Sequence, residues 1–260
     1  MTERNDLVAA LRRFAGAASP LVICDYDGTL APIVDEPDQA FPIDESVEAL
    51  RALASLDDTH VAVVSGRSLR DLVALCPFPP GIHLVGSHGS EFDGDFENDL
   101  ESAQLELLER ITGELRRLAA GGHGLIVETK PASVAFHYRQ AAPELAEQAL
   151  AAVRSGPATE IGVRVKEGKK VIELVVIDTD KGTAVERLRR QLGGDVVLFV
   201  GDDVTDEDAF AALHDDDIGI KVGDGPTVAR YRVDSPADTA RLLIQLHELR
   251  RAWLAAERPG

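Results

Sequence analysis

Cysteine is scarce. The 260 residues contain only Cys24 and Cys76, which excludes a disulfide framework, and neither sits at the spacing of a structural zinc site. No stretch approaches the ~20 uncharged apolar residues that a membrane-spanning helix requires, so no membrane association is expected. Aromatic residues make up 5% of the chain, too few for a base-stacking platform. Positive charge is also short. With 27 Lys and Arg against 45 Asp and Glu, the formal charge is -18, which opposes binding to nucleic acid. A local pocket of cations can still hold a small anion on such a surface. Met1 to Asp6 contain no apolar segment of the kind that starts a secretion signal, so a cytoplasmic protein with reduced cysteines is expected. No exposed heptad or apolar stripe asks for a second copy, and a monomer is expected. What remains is the composition of an ordinary globular protein, 45% hydrophobic and 28% charged.

Strand-like and helix-like segments alternate along the chain. Leu21-Val-Ile-Cys-Asp25 is a short apolar run ending in an acid, and Val47, Leu50, Leu53 and Leu56 recur at helical spacing from Asp44. His60 to Ser65 and Ile82 to Gly86 read as further strands around a helix capped by Ser68 and Asp71. Apolar throughout, such strands are buried on both faces, which predicts a parallel sheet covered by helices. The middle reads differently. A long amphipathic helix over 98–120 precedes strand candidates at 125–128, 133–138, 162–166 and 171–177, with a helix from Pro143 and a hairpin turn at Glu167-Gly168. After Asp180 the first pattern returns, with strands at 195–201 and 217–222 and a closing helix over 239–256. The fold class predicted is α/β. A doubly wound core is built from residues 1–89 and 179–260, and a smaller, largely antiparallel α/β domain is inserted at 90–178.

In open α/β sheets ligands bind outside the carboxyl ends of the strands, where the acids of this chain fall. The first strand ends Asp25-Tyr-Asp27-Gly-Thr-Leu30, and the strand from Asp195 ends Gly201-Asp202-Asp-Val-Thr-Asp206-Glu207. If both strands lie near the sheet centre, Asp25, Asp27 and Asp202 converge. Two carboxylates ~4 Å apart repel by about 4 kcal/mol at an effective dielectric of 20, so three call for a cation. Hard oxygen ligands with open positions suit Mg²⁺. An Asp at such a tip can attack phosphorus, and a second carboxylate two residues on can protonate the leaving alkoxide and later activate water. The alternative for each acid taken singly is a helix cap, and Asp206 stands where one would be. Ser65-Gly66-Arg67 places a hydroxyl, free N–H groups and a cation at another strand end. Asp180-Lys181-Gly182 opens a helix with an ammonium suited to a phosphoryl oxygen.

In this order, Asp25-Tyr-Asp-Gly-Thr-Leu30, Ser65, Lys181 and Gly201-Asp-Asp203 with Asp206 resemble the four motifs of the haloacid dehalogenase (HAD) superfamily. The resemblance implies Asp25 as nucleophile, Asp27 as acid/base, and Ser65 and Lys181 as phosphate ligands. It also implies Mg²⁺ held by Asp25, the Asp27 carbonyl and Asp202, with Asp206 acting through water. Within that superfamily the chain resembles the trehalose-6-phosphate phosphatase family, on Asp25 to Ile33, Ser65-Gly66-Arg67, Gly86-Ser-His88-Gly-Ser-Glu91 and Gly201 to Glu207. In the inserted domain, Val127-Glu128-Thr-Lys130, His137-Tyr-Arg139 and Glu167-Gly-Lys169 through Glu173 carry it further. By resemblance Glu128, Lys130, Lys169 and Glu173 grip sugar hydroxyls, His88 and Glu91 line the cleft, and the partner is a small sugar phosphate. On pattern alone the same four cap residues also fit the solvated face of an antiparallel sheet. After Glu173 the family usually continues with an Arg-Pro pair, whereas this chain has Leu174-Val-Val-Ile-Asp-Thr-Asp180, which leaves open a phosphatase for a related disaccharide phosphate. A non-catalytic sugar-phosphate sensor is the reading from another class, and every expected catalytic group being present opposes it.

Overall fold

The computed structural model describes residues 2–93, 100, 102–130, 132–177 and 179–257. Two compact units emerge, one formed by Met1–Gly94 with Thr179–Gly260, the other by Asp95–Asp178. In chain order the larger unit begins with α1 (Thr2–Ala15), β1 (Pro20–Cys24), α2 (Asp44–Ala54), β2 (His60–Val64), α3 (Leu69–Leu75), β3 (Ile82–Gly86) and β4 (Glu91–Phe92). The smaller unit follows with α4 (Ser102–Ala119), β5 (Ile126–Lys130), β6 (Ser133–His137), α5 (Pro143–Ser155), β7 (Arg164–Gly168) and β8 (Val171–Val175). The chain then returns through α6 (Lys181–Leu192), β9 (Val196–Gly201), α7 (Asp206–Ala211), β10 (Ile218–Val222), β11 (Tyr231–Val233) and α8 (Pro236–Glu257).

The seven-stranded sheet runs β11-β10-β9-β1-β2-β3-β4, parallel except for the β3–β4 pair. Every residue of β1, β9 and β10 is buried, as a sheet covered on both faces demands. The alternation within β1 shows the two layers. Val22 and Cys24 join the cluster of Leu11, Leu50, Leu243 and Leu246 from α1, α2 and α8. On the opposite face Phe199 meets Phe210 of α7 edge to face at 5.5 Å. From β1 the chain winds outward through β2 and β3, whereas β9 and β10 lie on the other side. The order therefore reverses between β1 and β9, and this is the crevice where α/β sheets bind ligands.

In the smaller unit the antiparallel sheet runs β5-β6-β8-β7. Val134, Phe136, Ile172 and Leu174 face Leu108, Ile111 and Leu115 of α4 and Val153 of α5. The residues of 133–138 alternate like a half-exposed strand. In β6, however, Ser133 and Ala135, on the face away from the helices, are buried as fully as Val134 and Phe136, because the strand lies inside the sheet between β5 and β8.

Some local details differ from the sequence reading. The hairpin does not turn at Glu167-Gly168. Gly168 is still paired with Val171, so Lys169-Lys170 forms the loop and Lys170 takes φ 66°. A Cβ on Gly168 would lie 2.8 Å from Val171 Cγ1, so the glycine serves close approach within the ladder. β4 pairs with β3, placing Glu91 and Phe92 in the larger sheet. The expected helix start at Asn98 lies outside the described residues. Helix α1 and strand β11 have no counterpart in the sequence reading.

Candidate active site

Asp25 is the first residue after β1, and its N–H donates to Val200 O of the neighbouring β9 at 2.8 Å. That bond extends the β1–β9 ladder past Cys24 and keeps the tips of the two strands side by side. The chain then turns tightly, with Leu30 and Ala31 N–H both donating to Tyr26 O at 2.9 Å. Gly28 makes this possible at φ +75°, and a Cβ there would fall 2.0 Å from Asp202 Oδ2. The loop after β1 therefore lies directly against the first acid after β9, and only glycine fits at the contact.

Lys181 opens α6, whose N-terminus is closed by a reciprocal capping box between Asp180 and Thr183. Its buried ammonium donates to Asp25 Oδ1 and to Asp206 Oδ1, both at 2.6 Å. Asp206, fully buried, does not cap α7. Its second oxygen accepts from Asp203 N at 2.8 Å, because the Gly201 turn leaves it room where a Cβ would come within 2.3 Å. One oxygen from each of Asp25, Asp202 and Asp206 lies within 4.8 Å of the others.

Burial pushes the Asp25 carboxyl well above the usual carboxylate range. Lys181 opposes that shift, and Asp206 and Asp202 reinforce it. Asp202 is pushed up to about 6, first by burial and then by Asp206 and Asp203. Burial works against the charge on Lys181, but Asp25 and Asp206 outweigh it and hold the ammonium protonated. Three carboxylates around one ammonium leave an excess of negative charge. Asp202 Oδ1 is moreover buried without a hydrogen-bond partner among the described residues. Donor chemistry and the orphaned oxygen together fit a hard divalent cation.

The sign of the Asp202 shift yields a pH prediction. The metal-free fold favours its protonated form, a contribution fully present below the unfolded carboxyl range near 4 and lost as pH rises through about 6. In EDTA, the melting temperature of Asp202→Asn minus that of the unsubstituted protein is expected to grow between pH 4 and pH 6. A difference that stays flat across this window contradicts the assignment.

Arg67 grips Asp27 with both ends of its fork, Nε to Oδ2 and Nη2 to Oδ1, each at 2.6 Å. Its N–H donates to Ser65 Oγ at 3.1 Å. The loops after β2 and β3 are knitted together. Ser65 O accepts from His88 N, and Arg67 O from Ser87 N. His88 takes φ 56°, and its ring lies so close to Gly66 that a Cβ there would meet Cε1 at 2.6 Å. Glu91 is buried, with its two oxygens accepting from Ser87 Oγ at 2.5 Å and from Leu69 N at 2.9 Å. It ties the β3 loop to the start of α3.

In the smaller unit, Glu128 and Glu173 lie in register across Ala135. With Lys130 they share the sheet face opposite α4 and α5. Lys130 Nζ is 3.2 Å from Glu173 Oε1, an oxygen that also accepts from Ser133 Oγ at 2.6 Å. His137 Nε2 is 2.8 Å from Glu128 Oε2. Lys169 stands apart at the hairpin loop, its carbonyl accepting from Arg139 Nη2 at 3.2 Å. Sequence reasoning missed Ser133 and also Lys221, whose signal is a lone charge in the buried strand Ile218–Val222.

A doubly wound core with acids at its switch point and an inserted α/β unit defines the class: this is a phosphatase of the HAD fold. Residues 23–237 match the family model described as trehalose-phosphatase, and the chain belongs to that family. A trehalose-phosphate phosphatase of Mycobacterium marinum is 38% identical over 270 residues, covering 96% of this chain and 68% of that protein. One of Mycobacterium tuberculosis is 37% identical over 274 residues, covering 98% and 69%. The crystal structure of Aspergillus fumigatus trehalose-6-phosphate phosphatase (crystal form 3) is similar with a TM-score of 0.64 at 28% identity, covering 94% of this chain and 97% of that one. Among the described residues no helix is long and apolar enough to cross a membrane.

Proposed function

We propose that the protein hydrolyses trehalose 6-phosphate to trehalose and phosphate, with Asp25 as nucleophile. The observation that carries this reading is the ammonium of Lys181 bridging Asp25 and Asp206 beside Asp202 at the sheet's switch point. An Asp25 oxygen attacks phosphorus, and the bond to the sugar O6 breaks as Asp27 delivers a proton to that oxygen. Asp27 then takes a proton from water, whose oxygen attacks the aspartyl-phosphate and frees phosphate and Asp25. Ser65, the Gly66 N–H and Lys181 hold the phosphoryl oxygens. Arg67 must release Asp27 for that carboxyl to reach the leaving oxygen, and a phosphate dianion is the stronger partner that draws the guanidinium away.

Asp25, the Asp27 backbone carbonyl and Asp202 would hold Mg²⁺, with Asp206 acting through water. When bound, the ion neutralises the excess carboxylate charge and polarises the phosphoryl group. Glu128, Lys130, Lys169 and Glu173 recognise sugar hydroxyls, with His88 contributing from the β3 loop. Charged groups suit this task because their hydrogen bonds to hydroxyls are the stronger kind. Glu91, expected to line the cleft, is instead buried and braces the β3 loop through Ser87 and Leu69. We read the protein as cytoplasmic and as a monomer, and size-exclusion chromatography tests the second of these. The absence of the family's Arg-Pro pair from the segment after Glu173 favours one second reading, a phosphatase for a related disaccharide phosphate.

The test is phosphate release, with Mg²⁺ or EDTA, from trehalose 6-phosphate, sucrose 6-phosphate, glucose 6-phosphate and p-nitrophenyl phosphate. Strong preference for trehalose 6-phosphate is expected, and equal rates on all four refute the substrate assignment. Glu173→Ala is expected to raise KM for trehalose 6-phosphate about tenfold or more, the cost of an unpaired charged hydrogen bond. KM for the aryl phosphate should not move. Equal effects on both would return Glu173 to a solvated sheet face.

A further inference from the structure

β10 reads Ile-Gly-Ile-Lys-Val and is buried at every position. Lys221 is its one charge, and the residue is 4% exposed. A buried ammonium is costly unless its donors are filled and its charge is answered. Register explains what fills them. Lys221 pairs with Gly201, the last residue of β9, so its side chain rises beside the turn that carries the site's acids. Nζ donates to the carbonyls of Asp202 and, at 3.4 Å, of Asp203. Glu207 Oε1 faces it at 3.9 Å, while Glu207 Oε2 accepts from Val228 N at 2.8 Å. One ammonium thereby ties together the Asp202-Asp203 backbone, the start of α7 and the loop after β10.

The consequence falls on Asp202. Its backbone is held from outside by Lys221. From inside, Asp206 accepts from the next N–H, that of Asp203. The Asp202–Asp203 peptide is thus pinned at both its carbonyl and its N–H. Gly201 before it is held in the sheet, and the Asp202 carboxylate lies against Gly28 and beside Asp25. The segment Asp202-Asp-Val-Thr-Asp-Glu-Asp208 is crowded with acids, and mutual repulsion drives such a turn apart unless something holds it. We propose that Lys221 is a positioning residue that keeps Asp202 preformed for a divalent cation. The proposal rests on the metal reading given above. It adds a residue that touches neither substrate nor ion.

Charge and position make opposite demands, and this separates them. Were Lys221 only a nearby positive charge, its removal would tighten Mg²⁺ binding by relieving repulsion. As the anchor of the turn, its removal must loosen binding. The experiment is calorimetric titration of Mg²⁺ into the substrate-free full chain, for the unsubstituted protein and Lys221→Met. The dissociation constant is expected to rise about tenfold or more, as when an outer partner of a metal ligand is lost. Half-saturating Mg²⁺ in turnover should rise in parallel, with KM for trehalose 6-phosphate at saturating Mg²⁺ within about twofold of its original value. Unchanged or tighter Mg²⁺ binding overturns the proposal, as does a kcat loss that Mg²⁺ cannot restore at an unchanged dissociation constant. If Lys221→Met fails to fold by circular dichroism, Lys221→Gln carries the same test. It keeps an N–H donor without the reach or the charge, and unchanged or tighter binding there is equally fatal. An unsubstituted protein that binds no Mg²⁺ and works in EDTA overturns the metal reading, and this proposal with it.

Discussion

Asp25→Asn is expected to reduce phosphate release by at least about 10⁴-fold while raising the melting temperature of the metal-free protein. The loss follows from chemistry, since a carboxamide is no nucleophile toward phosphorus and the covalent route closes. The gain follows from the surroundings of Asp25. Its carboxyl is buried beside Asp206 and Asp202, and burial with those neighbours pushes it toward its neutral form. Asparagine keeps an oxygen for the Lys181 ammonium, which retains Asp206 as its charged partner at 2.6 Å. One of three crowded carboxylates is thus removed without orphaning the lysine. A site that destabilises its own fold for the sake of function commonly behaves in this way. Thermal melts in EDTA and phosphate assays on the same preparation check both halves. Retained turnover removes Asp25 from the role of nucleophile. Lost turnover with a lowered melting temperature shows that the Asp25–Lys181 pair outweighs the repulsion.

Arg250→Met is expected to do the reverse, sparing kcat and lowering the melting temperature by about 10 °C. Arg250, on α8, is 1% exposed. Its guanidinium donates to Thr59 Oγ1 and to the carbonyls of Ala15, Ala17, Ala18, Asp57 and Asp58. Its plane lies 4.8 Å from the Trp253 ring. These carbonyls belong to the segments that lead into β1 and β2, so one side chain clamps α8 to the amino ends of two central strands. Methionine fills much of the space but leaves buried carbonyls without donors, a loss of about 3–5 kcal/mol. For a domain of this size each kcal/mol is worth about 2–4 °C. The clamp lies at the opposite end of those strands from the acids, so the chemistry should not change. A kcat that falls together with the melting temperature contradicts that separation.

The large features needed no contacts to be read. Uninterrupted apolar runs such as Leu21 to Cys24 predict a sheet buried on both faces, because no alternating strand of that composition can face water. Alternation in Ser133 to His137 reads as a strand covered on one side. Helices α4 and α5 do cover Val134 and Phe136, but Ser133 and Ala135 on the other face are buried too. Asp25 and Asp202 stand at strand ends, so their convergence needed only β1 and β9 to be neighbours. The third acid beside them, however, is Asp206 and not Asp27, whose carboxylate is held by Arg67. Finer details were less visible. Gly168 reads as a turn residue, but it lies within the ladder because Val171 packs over it. Asp206 stands where a cap would be, yet a lysine 25 positions earlier in the chain claims its side chain.

Local pattern was therefore enough for the α/β class, the order of the motifs and the kind of chemistry, since periodicity and residue type carry these over a few neighbours. Packing alone assigned partners. It paired Arg67 with Asp27 across 40 residues, set Lys221 beneath Asp202 across 19, and closed Arg250 on Ala15 across 235. Each is a buried polar group that had to find donors or acceptors once water was excluded. Which groups answered it depended on how the strands and helices came together, and no neighbouring residue encodes that.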